Sequence, residues 1–380
     1  MTYTDSYDNL ADSYGGSACM HREPPMDTTI RESKLSERLI TAIKQTAPGT
    51  ALRHALDMII AGHLGALICV GDTENVLAAG DDGFKLDISF TANRLFELSK
   101  MDGAIVVDKD LTQILRANYH LNPDPSLPTS ETGMRHRTAA RMSLLTRAMV
   151  ISVSERRQVI TIYVDGRGHQ IRTVGELMTS VNQLLVSMQN SRQQLDRSLL
   201  RLTTLELDNY VTFRDVADTL YLFEVLMTEA EALDRVILQL GREGRTIRMQ
   251  RDEFIGDMDD KYTLMIRDYA VNSSEENAEA IRRALHDINN NKIRSAVYIA
   301  GLLGYDGKSE GDTVTPLGLR TLSSVSMVRY DMADKIVDEY GSLADLMDDI
   351  EQNPDRLDGL GVDNPTILAD SLYRMWGKRA

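Results

Sequence analysis

The sequence predicts a multidomain chain: an α/β domain with a mixed sheet, an all-α helical spine, and a small all-α domain at the C-terminus. Three observations predict it. Between residues 31 and 168, apolar runs of strand length alternate with helically spaced apolar residues. From about Ile171 the repeat becomes purely helical, without proline and with few glycines, over roughly a hundred residues. Beyond Gly311, short helical segments are divided by tight turns. The expected divisions are a flexible tail at 1–30, the α/β domain at 31–168, the spine at 169–310 and the C-terminal domain at 311–380.

Composition narrows the classes of function. The chain has 380 residues, 42% hydrophobic and 26% charged, enough for two or three domains with separate cores. A net charge of −15 and a pI near 5.0 argue against general coating of nucleic acid or of anionic membrane, while leaving room for a local basic patch. Two cysteines, Cys19 and Cys69, make neither a disulfide framework nor a metal cluster, and fit a reducing cytoplasm. Cys69 lies in an apolar run and is expected to be a buried free thiol. Asp5, Asp8 and Asp12 interrupt the N-terminus, so it does not read as a signal peptide. The longest apolar runs, such as Ala296 to Leu303, are too short to span a bilayer, so no membrane partner is expected.

In chain order, residues 1 to about 29 are rich in Ser, Thr, Tyr, Asp and Gly, which suits a tail. Ser36–Gln45 and Ala51–Ala61 carry helical spacing. Gly62-His63-Leu64-Gly65 breaks it, and Ala66–Val70 reads as a buried strand ended by Gly71-Asp72. Ala92–Lys100 is expected to be a helix, Ala104–Val107 and Ile114–Leu121 strands, Thr138–Arg147 a helix, and Val150–Val153 and Val159–Val164 strands closed by Asp165-Gly166. Several connections are short enough for antiparallel pairing, which favours a mixed sheet. The spine follows from Leu177, Val181, Leu184, Leu185, Met188, Leu195, Leu199, Leu202 and Leu205, and resumes through Leu220–Leu240 and Tyr262–Ile266. It reads as a spacer and oligomerisation element. Gly301–Thr315 is a joint.

The chemistry concentrates in Met101–Thr138. An acid on a glycine turn, Asp102-Gly103-Ala104, directly precedes a predicted strand. Downstream, Glu131-Thr132-Gly133-Met134-Arg135-His136-Arg137-Thr138 places a basic triplet at the start of a helix, with Thr129, Ser130 and Thr132 available as caps. Arginines at a helix N-terminus oppose the helix dipole, and a bound phosphate resolves that conflict. Metal-assisted phosphoryl transfer uses both kinds of group: a carboxylate for a divalent cation, and fixed positive charge for phosphate. No Walker-A loop and no Gly-x-Gly-x-x-Gly follows a strand, and the other histidines have no metal-ligand spacing. Asp72, Asp81 and Asp82 read as loop residues.

Asp102-Gly103-Ala104, Arg116-Ala117-Asn118, His120-Leu121 and Glu131 to Ala139 together resemble the signature of diadenylate cyclase domains. The order of cyclase domain, spine and C-terminal helices resembles the DNA-integrity scanning diadenylate cyclases of bacteria, over about Leu35 to Trp376. That resemblance implies condensation of two ATP into cyclic di-AMP with release of two pyrophosphates, using Mg²⁺ or Mn²⁺. It implies that Asp102 holds the metal, that Gly103, Ala104 and Leu121 contact the nucleotide, and that Met134, Arg135, His136, Arg137 and Thr138 bind the phosphates. Asp102, Arg135 and Arg137 would be the catalytic set. It further implies a homo-octamer, and control by branched DNA at a DNA-damage checkpoint.

The C-terminal turn Leu357-Asp358-Gly359-Leu360-Gly361-Val362 has the Gly-x-Gly hairpin of helix-hairpin-helix modules, whose glycines let backbone N–H groups reach a DNA phosphate. Gly359, Leu360, Gly361 and Val362 are therefore the candidate DNA contacts. The domain departs from that pattern in charge: from Gly311 to Ala380, 7 Lys and Arg stand against 13 Asp and Glu, a net −6, whereas phosphate binding draws on basic residues. A structural cap on the spine is the other reading of this domain. The competing reading for the whole chain is a non-catalytic nucleotide sensor that docks DNA or repair partners; intact Asp102, Arg135 and Arg137 favour the enzyme.

Overall fold

The computed structural model describes residues 35–377 apart from 289, 351, 354, 355, 358 and 363. The expected tail and Cys19 lie outside those residues. The sheet contains β1 (Ala66–Val70), β2 (Gly80–Asp81), β3 (Phe84–Ser89), β4 (Ala104–Val107), β5 (Gln113–Leu121), β6 (Met149–Ser154), β7 (Val159–Val164) and β8 (Arg167–Ile171). Their order is β2-β5-β4-β1-β6-β7-β8, with β3 also paired to β5. β1 runs parallel to β4, and every other pairing is antiparallel. The sheet is mixed, as expected.

All five β1 residues and all four of β4 are buried, which requires cover on both faces. Helices α1 (Glu37–Gln45), α2 (Ala51–Ala61) and α4 (Ala92–Leu98) start at Ser36, Thr50 and Thr91, whose hydroxyls accept the N–H groups of Leu39, Arg53 and Arg94. On the opposite face, α3 (Thr73–Ala78) and α5 (Met134–Leu145) bring Val76, Ala139, Ala140 and Met142 against Leu67, Cys69, Val106, Val150 and Tyr163. Cys69 is a buried free thiol, and burial pushes its pKa up to about 12.

One expectation needs correction here. The helix expected from Thr138 begins at Met134, and none of Thr129, Ser130 and Thr132 caps it: its N-cap is Gly133, without a side-chain bond. Asp165-Gly166 is the expected turn at the end of β7. Both residues have positive φ, 51° and 77°, and join β7 to a further strand, β8, as a two-residue hairpin. β8 was illegible because Arg167-Gly168-His169-Gln170-Ile171 has one apolar residue and no alternation.

The spine is built on α6 (Val174–Leu207) and α7 (Phe213–Leu240). Each starts in a capping box, Thr173 with Glu176 and Thr212 with Asp215. With 34 residues, α6 is about 51 Å long. Leu177, Val181, Met188, Leu195, Leu199 and Leu202 are buried in one core with Leu220, Phe223, Leu226 and Leu233. Leu184, Leu185 and Leu205 are partly buried beside it. Helices α8 (Arg245–Ile255), α9 (Met258–Tyr269), α10 (Glu275–Asp287), α11 (Asn290–Ile293) and α12 (Ala296–Leu302) complete the stretch. At the end that adjoins the α/β domain, Arg53 Nη2 donates to the Arg172 carbonyl at 3.2 Å, and Arg172 Nε to Gln239 at 3.3 Å.

The C-terminal helices α13 (Leu319–Ser323), α14 (Tyr330–Tyr340), α15 (Leu343–Asp349) and α16 (Pro365–Trp376) share a core with Leu207 and Leu264 of the spine. A buried polar network ties them there. Asp268 accepts the N–H groups of Gly318, Leu319 and Arg320 at 2.9, 2.6 and 3.0 Å. Glu206, fully buried, accepts from Arg320 Nη2, Thr321 Oγ1 and Tyr269 Oη, each at 2.6 Å. Removing one partner of such a pair leaves an uncompensated buried charge. Arg320→Met should therefore lower unfolding stability by about 3–5 kcal/mol in denaturant titration.

Burial and the nearby Glu206 charge raise the Asp268 pKa to about 7, against the backbone N–H groups and Arg320. Between about pH 4 and pH 7 the folded chain then holds a proton that the unfolded chain has released, so this site contributes less stability as pH rises through that window. The stability advantage of wild type over Asp268→Asn should be larger at about pH 5 than at about pH 8. A constant difference would show that Asp268 does not titrate in that range.

Candidate active site

Gly103 lies between α4 and β4 with φ +85°. A Cβ there would sit 2.7 Å from the Asn118 carbonyl carbon and 2.9 Å from the Tyr119 nitrogen, so only glycine lets the two backbones approach this closely. Asn118 is also left-handed, φ +51°, and the β4–β5 register shifts beside it. This bulge lets the Asn118 side chain turn back, and its Nδ2 donates to the Asp102 carbonyl at 2.8 Å. The backbone of Asp102 is held while its side chain stays exposed, with no ion pair or hydrogen bond among the described residues.

Strand register brings the other parts to the same end of the sheet. Leu67 pairs with Ala104, Ala66 with Val153 and Gly80 with Leu121. The starts of β1 and β4 therefore lie beside the ends of β5 and β6, so Gly65, Asp102, Leu121 and Ser154 share one edge. A Cβ at Gly65 would overlap the Arg135 guanidinium. Arg135 thus reaches from the first turn of α5 to the start of β1, one strand spacing, about 4.8 Å, from the strand that Asp102 precedes.

The N-terminus of α5 is open. The first intrahelical bond runs from Arg137 N to Gly133 O at 2.8 Å, so the N–H groups of Met134, Arg135 and His136 have no partner within the helix. Thr129 accepts instead from Glu131 N at 3.2 Å. Arg137 Nη2 contacts Met134 Sδ at 3.3 Å, and neither Arg135 nor Arg137 has an ion pair among the described residues. Met134 is 75% exposed. Thr138 is half-buried in the next turn.

His136 is turned inward, its Nδ1 2.8 Å from Tyr163 Oη. Tyr163 also bonds the Glu131 carboxylate; burial first, and then that carboxylate, raises its pKa. In the His136 Nδ1–Tyr163 Oη hydrogen bond either group can donate, depending on the imidazole tautomer. The triplet therefore divides into two outward arginines and one structural histidine.

A cleft of about 880 Å³ opens here, with Glu131–His136 on one wall and Ser152–Arg157 on the other. Ser152 Oγ is buried at its base, without a hydrogen-bond partner among the described residues. Asp102, Gly103 and Leu121 lie along the same sheet edge, outside this lining. Ala104 is fully buried in the core. Sequence reasoning missed Ser152, Ser154, Arg156 and Arg157, which read as a strand end and a charged turn; only the pairing of β6 beside Gly65 brings them to α5. Gly359 to Val362 form a turn ahead of α16 in the C-terminal domain. There the Leu360 and Val362 N–H groups donate to the Leu357 carbonyl at 3.0 and 3.3 Å, and Val362 is buried.

Among the described residues no three His, Cys, Asp or Glu groups form a metal cluster, and no helix is long and apolar enough to cross a membrane. Asp102 offers an exposed carboxylate with no protein partner among the described residues, and Glu131 and Glu155 add carboxylates on the walls of the cleft. That fits Mg²⁺ or Mn²⁺ arriving with a nucleotide, whose phosphates and waters fill the remaining positions.

Two family models match the chain: the nucleotide-binding region of the DisA bacterial checkpoint controller over residues 53–168, and its linker region over 171–311. The chain is similar to DNA integrity scanning protein DisA of Carboxydothermus hydrogenoformans, 36% identical over 341 residues, which cover 89% of this chain and 97% of that protein. It is also similar to the protein of that name from Corynebacterium efficiens, 40% identical over 338 residues, which cover 88% and 95%.

The Gly103 geometry makes a stability prediction. Gly103→Ala combines a left-handed backbone with overlap against β5, and should cost about 1–3 kcal/mol. Asn118→Asp, which tolerates the same left-handed backbone, removes the Nδ2 donor and should cost about 1 kcal/mol. Thermal melts of the two variants check the order; an unchanged melting temperature for Gly103→Ala would refute the close approach.

Proposed function

Because this chain belongs to the family of the DNA integrity scanning protein DisA, it is a diadenylate cyclase, and we propose that its chemistry runs along the sheet edge between Asp102 and the N-terminus of α5. The single observation that carries this placement is the seating of the Arg135 guanidinium on Gly65. It puts the phosphate-binding end of α5 beside the strand that Asp102 precedes.

In this reading the open N–H groups of Met134, Arg135 and His136 and the side chains of Arg135 and Arg137 hold the triphosphate. The arginines offset charge as pyrophosphate leaves. Ser152 Oγ supplies a further donor at the base of the cleft. Thr138 adds a hydroxyl, and Leu121 and the Gly103 backbone border the base. Asp102 holds Mg²⁺ or Mn²⁺; when bound, the metal lowers the pKa of the attacking 3′-hydroxyl. Each 3′-oxygen bonds to the α-phosphorus of the other ATP, the bond to pyrophosphate breaks, and the hydroxyl proton is released. Two ATP thus give cyclic di-AMP and two pyrophosphates.

The product is two-fold symmetric, while the chain carries one Asp-Gly-Ala and one Arg-His-Arg. Two cyclase domains facing each other across an isologous contact satisfy that symmetry. In this reading the spine joins such pairs into an octamer in the cytoplasm, and branched DNA acts through the C-terminal domain. The net −6 of that domain and the inward use of two hairpin N–H groups limit the hairpin's share of phosphate contacts.

Incubation of the protein with ATP and either metal, read by mass spectrometry for cyclic di-AMP, tests the reading. Asp102→Asn should abolish product and leave assembly intact; near wild-type product would sink the metal-ligand role. Arg135→Ala with Arg137→Ala should weaken ATP binding as well as turnover, each arginine by about 1.5–3 kcal/mol. Titration with a four-way junction at two salt concentrations should give salt-sensitive binding. Its absence would leave the hairpin a structural turn.

A further inference from the structure

A second cleft opens at the far end of the same two strands. The carboxyl ends of β1 and β4 run into Gly71-Asp72 and Asp108-Lys109. Between these turns and α1 lies a cleft of about 490 Å³ that the cyclase reading does not use. Val70, Met149 and Val164, neighbours at one end of β1, β6 and β7, are buried beneath it. Three cations stand around it: Arg38 from α1, Lys109 after β4 and Arg147 before β6.

Two of these cations, Lys109 and Arg147, have no carboxylate partner among the described residues. Arg38 pairs with Asp165 in the β7–β8 turn. The Lys109 stem lies where a Gly71 side chain would point, 3.6 Å from that Cβ position, and Gly71 has φ +80°. Lys109 Nζ and the Arg147 guanidinium have no hydrogen bond or ion pair among the described residues. Two acids also line the cleft, Glu37 and Asp72. Asp72 is engaged elsewhere: its oxygens accept from Asn75 Nδ2 at 2.8 Å and from the Arg147 backbone N at 2.6 Å. Arg147 therefore stands beside a carboxylate that binds its main chain and leaves its guanidinium free.

We propose that this cleft is a binding site for a small phosphate-bearing anion, separate from the cyclase site. The carboxyl ends of parallel strands are where open α/β sheets place their ligands. The cyclase residues occupy the opposite end of β1 and β4. Guanidinium and ammonium groups that lack protein partners match phosphate oxygens; among the described residues Lys109 and Arg147 are two such groups, and they converge with the Asp165-paired Arg38 in a chain whose net charge is −15. The volume exceeds what inorganic phosphate fills and lies in the range of small-molecule sites, about 300–1,000 Å³. The apolar floor gives the uncharged part of an organic phosphate a surface to lie on.

Equilibrium dialysis of the full chain with AMP, and in parallel with pyrophosphate, tests this. Wild type should show two classes of AMP site per chain. Lys109→Glu with Arg147→Glu should weaken one class about tenfold or more and leave the KM for ATP unchanged. Arg135→Ala with Arg137→Ala should weaken only the other. Lys109→Gln, a mild change at an exposed position, should weaken the first class about threefold, and guards against misfolding of the double variant. Pyrophosphate competing as well as AMP would assign recognition to the phosphate alone; AMP binding without pyrophosphate competition would add the nucleoside. Either supports an anion site. A single class that Arg135 and Arg137 control, or unchanged binding in both lysine variants, overturns it. The count of sites does not depend on turnover, so failure of the cyclase reading would be seen separately.

Discussion

β1 and β4 run parallel through the middle of the sheet, and both ends of the domain take their arrangement from that pairing. Parallel strands start together, so Gly65 and Asp102 meet at one edge and Gly71 and Lys109 meet at the other. An antiparallel pairing of the same segments would have put Asp102 beside Gly71, far from α5. Parallel pairing also needs cover on both faces. The helices that supply it are the ones that bring chemistry: α5 carries the arginines, and α1 carries Arg38. The complete burial of β1 and β4 is thus the condition for both clefts.

At the N-terminus of α5 the proposed phosphate site is set against local stability. A hydroxyl cap would satisfy one of its open N–H groups and typically contribute about 1 kcal/mol. The chain places Gly133 there and follows it with Arg135 and Arg137, whose charge opposes the helix dipole. The helix is held instead by its buried face, Ala139, Ala140 and Met142, and by His136 against Tyr163. Stability comes from packing farther along the helix, which leaves the first turn available to an anion.

The C-terminal helices are joined to the spine more firmly than their charge would suggest. Asp268 caps the start of α13 through three backbone N–H groups, and Glu206 faces Arg320 in a buried site. Trp376 also donates to Asp208 at 2.6 Å, from the far end of α16. From Ser36 onward the contacts make one unit of the chain. A change in the C-terminal helices is thus mechanically connected to α6, whose other end adjoins Arg172 and α2. The spine, which reads as an inert spacer from its apolar repeat, carries the most buried charges among the described residues of the molecule's two helical stretches: Glu206, Glu224 and Asp268.

Much of the fold was legible because its signals are local. Apolar runs such as Ala66–Val70, the repeat from Leu177 to Leu205, and Thr or Ser before helices each declare an element without reference to the rest of the chain. The motif around Asp102 and Arg135 was legible as residue types at their spacing. β3 does alternate, Phe84, Leu86 and Ile88 against Lys85, Asp87 and Ser89, and sequence reasoning missed it. β2 and β8 were not legible, because a two-residue strand and one with a single apolar residue carry no periodicity, and their partners β5 and β7 decide them. Nor were Ser152, Arg156 and Arg157, which reach the cleft only through the β1–β6 register, or Glu206 and Arg320, 114 positions apart. By itself the sequence determined which residues are apolar, which can turn, and which chemistry the chain holds. Tertiary structure alone decided that Arg135 lies on Gly65 and that Asn118 restrains Asp102, because those are contacts between backbones distant in sequence, and no local pattern encodes which strands become neighbours.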